Sequence, residues 1–240
     1  NGQVAGGPMY YITNGMGEKF KPLAIFFAFS GGLVALFGMG TFTQVNAITS
    51  SIENTLHLPA EGVGIVLALL VGIITFRGIN SISKVAEKVV PVMAACYLII
   101  CVTILVINHA SLLPAFELIF KSALTPTAAV GGFTGATVAM AIRNGVARGV
   151  FSNESGLGSA PIAAAAAKTH WPAEQGLISM TGTFIDSLII CTLTGLSLIV
   201  TGVFTVEGIS GGALTEAAFN SVLPTVWGMP LGSLLLMVCL

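Results

Sequence analysis

Five stretches of this chain are apolar for about as long as a helix needs to cross a bilayer, roughly 20 residues. No other feature restricts its folding as strongly. They fall at 23–50, 62–80, 86–107, 127–145 and 177–203, and a sixth begins near 229 and runs to 240. In hydrocarbon every backbone polar group must be satisfied inside the protein, so spans of this kind are helices. Composition points the same way: 55% of the 240 residues are hydrophobic and 8% charged, against about 25% charged in a soluble domain. Mean hydropathy is +0.95. The sequence reads as an all-α, multi-pass membrane protein in a lipid bilayer. A net charge of −1 gives no footing for nucleic acid. With no methionine at its start and an apolar run at its end, it reads as a fragment, one membrane domain over 1–240.

Loop charges orient the spans, because Lys and Arg favour the cytoplasm. Lys19 and Lys21 precede the first span; Arg77, Lys84 and Lys88 follow the second; Arg143, Arg148 and Lys168 follow the fourth. Those alternate loops hold every basic residue but Lys121, so the first span runs from inside to outside. The stretch "ASLLPAFELIFKSAL" (110–124) is too short to span and carries Glu117 and Lys121. It reads as an outer amphipathic helix, and 146–174 as a cytoplasmic loop with a short helix starting near Pro161.

Within the fourth span, "AVGGFTGAT" (129–137) places Gly131, Gly132 and Gly135 around Phe133 and Thr134. A helix interior is weakened by about 1 kcal/mol for each glycine replacing alanine. Irregular backbone at membrane depth survives only against protein or a polar cavity, and transporters use such breaks to hold small solutes. The other reading is close packing, since Gly131 and Gly135 form a G-x-x-x-G pair.

Other polar residues stand inside the spans. Gln44 is the largest, able to contact a ligand or to bridge helices. In the fifth span Thr183, Ser187, Thr194, Ser197 and Thr201 recur at helical spacing. Asp186 is the deepest formal charge, and an intramembrane carboxylate marks a functional site by default; an acceptor locking helix ends is the alternative. Arg143, Arg148 and Glu154 read as an ion-pair cluster at the inner face. The four cysteines lie in apolar runs without ligand spacing. No nucleophile–base set, metal cluster or phosphate loop appears, so an enzyme is not expected.

"NGQVAGGPMYYI" (1–12), "GGFTGATVAMAIRNGVARGVFSNESGLGSAPIAAAAAKT" (131–169) and "FIDSLIICTLTGL" (184–196) closely resemble the alanine/glycine:cation symporter family. These are sodium-coupled amino-acid carriers of the amino acid–polyamine–cation superfamily, and the resemblance covers almost the whole chain. It implies a five-plus-five inverted-repeat fold like the leucine transporter, with these spans as the third to seventh helices and the start of the eighth. It implies symport of alanine or glycine with Na+ across the plasma membrane, with no other cofactor; a channel is the alternative. The substrate would meet Gly131, Gly132, Phe133, Thr134 and Gly135, with Gln44 facing the same pocket. Asp186, Thr183, Arg148, Asn153 and Glu154 would serve an ion or a gate. The family's first broken helix and most of its eighth, which complete the substrate and sodium sites, lie outside this sequence.

Overall fold

The computed structural model describes residues 5–37, 39–124, 143, 145–147, 149–150, 152–154, 156–206, 208–209, 211–226 and 229–239. The glycine cluster 131–135 and Arg148 lie outside the described residues. What is described is almost entirely helical. Helix α1 (Pro8–Met16) leads into α2 (Lys21–Phe37) and α3 (Met39–Leu56), which together with a preceding turn form a candidate span of 39 residues, Glu18–Leu56. Next come α4 (Ala60–Phe76), α5 (Ile79–Ile107), α6 (Leu112–Leu124) and the short α7 (Ala160–Ala164). Helix α8 (Pro172–Phe184) continues through a π-helical turn (Ile185–Ile190) into α9 (Cys191–Thr201), then α10 (Gly212–Val222). Two-residue strands β1 (Thr225–Val226) and β2 (Met229–Pro230) pair antiparallel, Thr225 opposite Pro230, before α11 (Leu231–Cys239).

Three of the described helices are long and apolar enough to cross a membrane: Glu18–Leu56, the 29-residue α5, and the 30-residue rod Pro172–Thr201. Helix α4 is apolar but shorter. Local chemistry sets the boundaries. Helix α4 gives way to α5 at Gly78, whose φ of +81° suits a residue without Cβ. Pro91 inside α5 is tolerated because neighbours in a membrane bundle re-satisfy the freed backbone. Pro172 opens α8 at the position where proline fits, and Glu174 accepts a hydrogen bond from the His170 N–H at 3.1 Å, closing the helix start.

The core is small and sits where α5, α9, α10 and α11 meet: Ile100, Cys101, Ile104, Ala218, Phe219 and Leu236. The rings of Tyr97 and Phe219 pack 5.7 Å apart at a tilt of 48°. Elsewhere large apolar side chains face outward, Phe76 at 95% exposure, as lipid-facing or partner-facing helices require. Helix α6 is amphipathic and carries Glu117 and Lys121 one turn apart, 2.5 Å between charged atoms. The bond from Lys121 and its charge hold the Glu117 carboxyl below the usual carboxylate range.

Hydropathy alone gives no warning of α1, α10 or the β1–β2 hairpin. Helix α1 carries three polar or small residues in its second half, and α10 is only 11 residues long. Neither meets a span criterion.

Candidate functional site

Three stretches far apart in sequence meet at one place. The first contact is between the segment preceding α1 and α7. A Cβ on Gly7 would stand 2.6 Å from Ile162, and one on Gly6 would overlap Ala165. A Cβ on Gly158 would stand 2.7 Å from Phe27 and 2.8 Å from Pro8. Small residues here let backbone lie against backbone, the usual device for close approach in a bilayer. An open groove of ≈ 620 Å³ beside this contact is lined by Gly6, Tyr10, Tyr11, Asn14 and Pro161, with no carboxylate among its lining residues.

The second contact joins the polar turn ahead of α7 to the π turn. Ser152 donates to Asp186 Oδ2. Asn153 Nδ2 donates to Ser187 Oγ at 2.7 Å, and Ser187 Oγ donates back to Asn153 Oδ1 at 3.0 Å. The same amide donates to the Gly149 carbonyl at 3.1 Å, so the turn braces itself while it grips the rod. Glu154 adopts φ +50°, uncommon without glycine, and accepts a hydrogen bond from Ser159 at 2.5 Å. Gly156 and Gly158 follow at φ +80° and +79°. Among the described residues Glu154 forms no ion pair with Arg143; the ion pair found there is Glu117–Lys121.

The π turn explains why Asp186 and Ser187 present themselves together. The Cys191 N–H reaches back five residues to the Asp186 carbonyl instead of the usual four. Such wide turns interrupt helices mostly at functional positions. Asp186 stands at the middle of the rod Pro172–Thr201, about 20 Å from either end at about 1.5 Å per residue. The polar turn at 152–153 therefore reaches the rod's centre, not its tip.

The wide turn also divides the polar stripe of the fifth span. Thr183 is exposed and donates to Ser179 of its own helix at 3.3 Å. Ser187 meets Asn153. Beyond the turn, Thr194 donates to the Ile190 carbonyl at 2.7 Å. With its hydrogen committed there, Thr194 accepts from the Tyr97 hydroxyl on α5, 2.6 Å away. Helical spacing placed all these residues on one face by assuming uniform turns. In the structure the lower part meets the 152–153 turn and the upper part meets α5.

Gln44 is exposed, and its Oε1 accepts from Thr43 at 3.1 Å. Among the described residues it does not join Asp186 or Asn153. No group of three His, Cys, Asp or Glu that could hold a metal ion occurs among the described residues.

Sequence reasoning missed one polar cluster. Glu216 on α10, between the fifth span and the run that begins near 229, is 9% exposed. Its Oε1 accepts from Ser233 on α11 at 2.7 Å and from Thr55 on α3 at 3.4 Å. Asn220, one turn after Glu216, binds Ser233 through both its backbone N–H (2.9 Å) and its hydroxyl (2.7 Å). The available signal was Glu216 and Asn220 four residues apart, one helical turn, in the short segment Gly212–Val222.

Long apolar helices, three of them long enough to cross a bilayer, with a close glycine contact and a π turn held by a polar turn, define an all-α protein of the membrane-spanning class. The sequence pattern of the sodium:alanine symporter family matches residues 1–240, and the chain belongs to that family. It is 49% identical to an uncharacterized transporter of Haemophilus influenzae over 95% of this chain and 50% of that protein. It is 43% identical to the sodium/alanine symporter AgcS of Methanococcus maripaludis, covering 93% of this chain and 49% of that protein. It is 36% identical to the probable sodium/glutamine symporter GlnT of Bacillus subtilis, covering 90% and 44%. The chain spans about half the length of the curated relatives it matches.

Proposed function

We infer that the complete protein is a symporter carrying a small neutral amino acid, alanine or glycine, into the cell with Na+ across the plasma membrane. The observation that carries this reading is the family match along the full 240 residues, joined by 43% identity to a protein named a sodium/alanine symporter. The polar turn braced on Asp186 adds a second support, since a non-helical turn at the centre of a membrane rod needs a protein or aqueous lining. The helices would take the third to seventh positions, and the start of the eighth, in a five-plus-five inverted repeat.

In this reading the zwitterion's carboxylate would lie beside the glycine-rich backbone of 131–135, as at the N-terminus of a transporter half-helix. Sodium adds positive charge nearby. Phe133 covers the apolar side, Thr134 offers a hydroxyl, and Gln44 faces the same pocket. Asp186, Asn153 and Glu154, with Arg148 and Thr183, serve the inner gate or an ion.

The test is uptake of radiolabelled alanine by the complete protein in liposomes, with and without an inward sodium gradient. Gradient-driven accumulation is expected; uptake indifferent to sodium rejects the reading. Gly132→Leu and Gln44→Leu should each abolish sodium-driven uptake while the protein stays folded and monodisperse. Normal uptake in both removes these residues from the site.

A further inference from the structure

We propose that Glu216 anchors a binding site for a small monovalent cation, sodium in the cell, between α3, α10 and α11. Its carboxylate is withdrawn from solvent, and no Lys, Arg or His pairs with it among the described residues. A buried charge needs a compensating partner. The start of α11 supplies only a partial one, about half an elementary charge, and its Ser233 N–H is already committed to Asn220.

Hydrogen-bond directions leave one carboxyl oxygen, Oε1, as an acceptor twice over. The Ser233 backbone N–H can only donate, so Asn220 must present Oδ1 to it and turn Nδ2 towards Ser233 Oγ, 2.7 Å away. Ser233 then receives from Asn220 and gives its own hydrogen to Glu216 Oε1 at 2.7 Å. Thr55 gives a second hydrogen to the same oxygen. The hydroxyl hydrogens of Ser233 and Thr55 both go to Oε1, and Oε2 receives none among the described residues.

A further oxygen stands on the same wall. Ser51 is 3% exposed, and its hydroxyl has no hydrogen-bond partner among the described residues. Ala47, Ser51 and Thr55 are spaced by four along α3 and so share a face. Ala47 at one end of that face meets Gly212 at 3.4 Å from a built Cβ, and Thr55 at the other meets Glu216. Ser51 between them therefore faces the same stretch of α10. The site thus offers a carboxylate, the hydroxyls of Ser51, Thr55 and Ser233, and the Asn220 amide oxygen. These are hard oxygen ligands, the kind that hold alkali and alkaline-earth cations rather than transition metals.

The site is separate from the Asp186 contact and does not depend on the symport reading. Its test is equilibrium binding of radioactive sodium to the purified complete carrier, with no amino acid present. The wild type should hold one more sodium ion per carrier than Glu216→Gln at saturation. Glu216→Asp, which keeps the charge, should retain the ion at lower affinity. An equal count in Glu216→Gln overturns the proposal, and so does an equal count accompanied by lost proton uptake, which would assign the carboxylate to a proton. Should Glu216→Gln fail to fold, the combined Ser51→Ala and Thr55→Val variant carries the test. It should weaken binding at least several-fold, and unchanged affinity overturns the proposal. Sodium-independent alanine uptake in liposomes would reject symport and leave this count untouched.

Discussion

Gly158 shows how one residue can demand glycine for two separable reasons. Its φ of +79° is strained for any L side chain, at a cost of roughly 1–3 kcal/mol. Its missing Cβ also leaves room for Phe27 and Pro8, which would otherwise stand within 2.8 Å. Gly156, two residues earlier, has φ +80° but open space around a built Cβ. Gly156→Ala should therefore carry the backbone strain alone, and Gly158→Ala the strain plus overpacking of about 1–3 kcal/mol. Thermal unfolding of the two variants in detergent separates the effects, with Gly158→Ala melting lower. Equal midpoints would mean that the α1–α7 contact yields freely and does not fix the turn.

Most helices were legible because hydrophobic runs and punctuation agree: α4 spans 60–76 where the sequence suggests 62–80, and Gly78 marks the break. Pro161 and Pro172 sit in the opening turns of α7 and α8. Less legible was the polar stripe, because the π turn at 185–190 alters the angular step on which face assignments rely. The partnership of Ser152 and Asn153 with Asp186 and Ser187 was equally hidden, since it joins residues 34 apart in sequence. Glu216 was hidden for a related reason: one charge in a loop-length helix looks solvated until its contacts with α3 and α11 are known. The grip on the π turn has a measurable size. A double-mutant cycle over Asn153→Ala and Ser187→Ala should give a coupling of about 0.6 kcal/mol, up to about 1.7, as for polar contacts between membrane helices. Additive effects would show that the two residues are merely neighbours.

On the scale of the molecule, besides the Tyr97–Thr194 bond between α5 and α9, two polar clusters join separate parts of the fold. One joins the turn at 152–158 to the centre of the rod Pro172–Thr201; the other clasps α10 onto the end of α3 and the beginning of α11. Between them runs the small apolar core of α5, α9, α10 and α11, so the two polar contacts share rigid elements. A rigid link of this kind lets the state of one end bias the other only if two arrangements differ in ligand affinity. The symport reading supplies such a difference: sodium and amino acid each favour the arrangement that holds both. Coupling of that sort is reciprocal by linkage. In the complete carrier, a saturating sodium concentration should tighten alanine binding by some factor, and saturating alanine should tighten sodium binding by the same factor. For an ordinary coupling of about 1–3 kcal/mol the factor lies between about 5 and 150. Equilibrium binding measured from both sides, with potassium replacing sodium to hold ionic strength, provides the comparison. Unequal factors would show that one of the two measurements had not reached equilibrium. A factor of one would mean that sodium and alanine do not meet through this bundle at all.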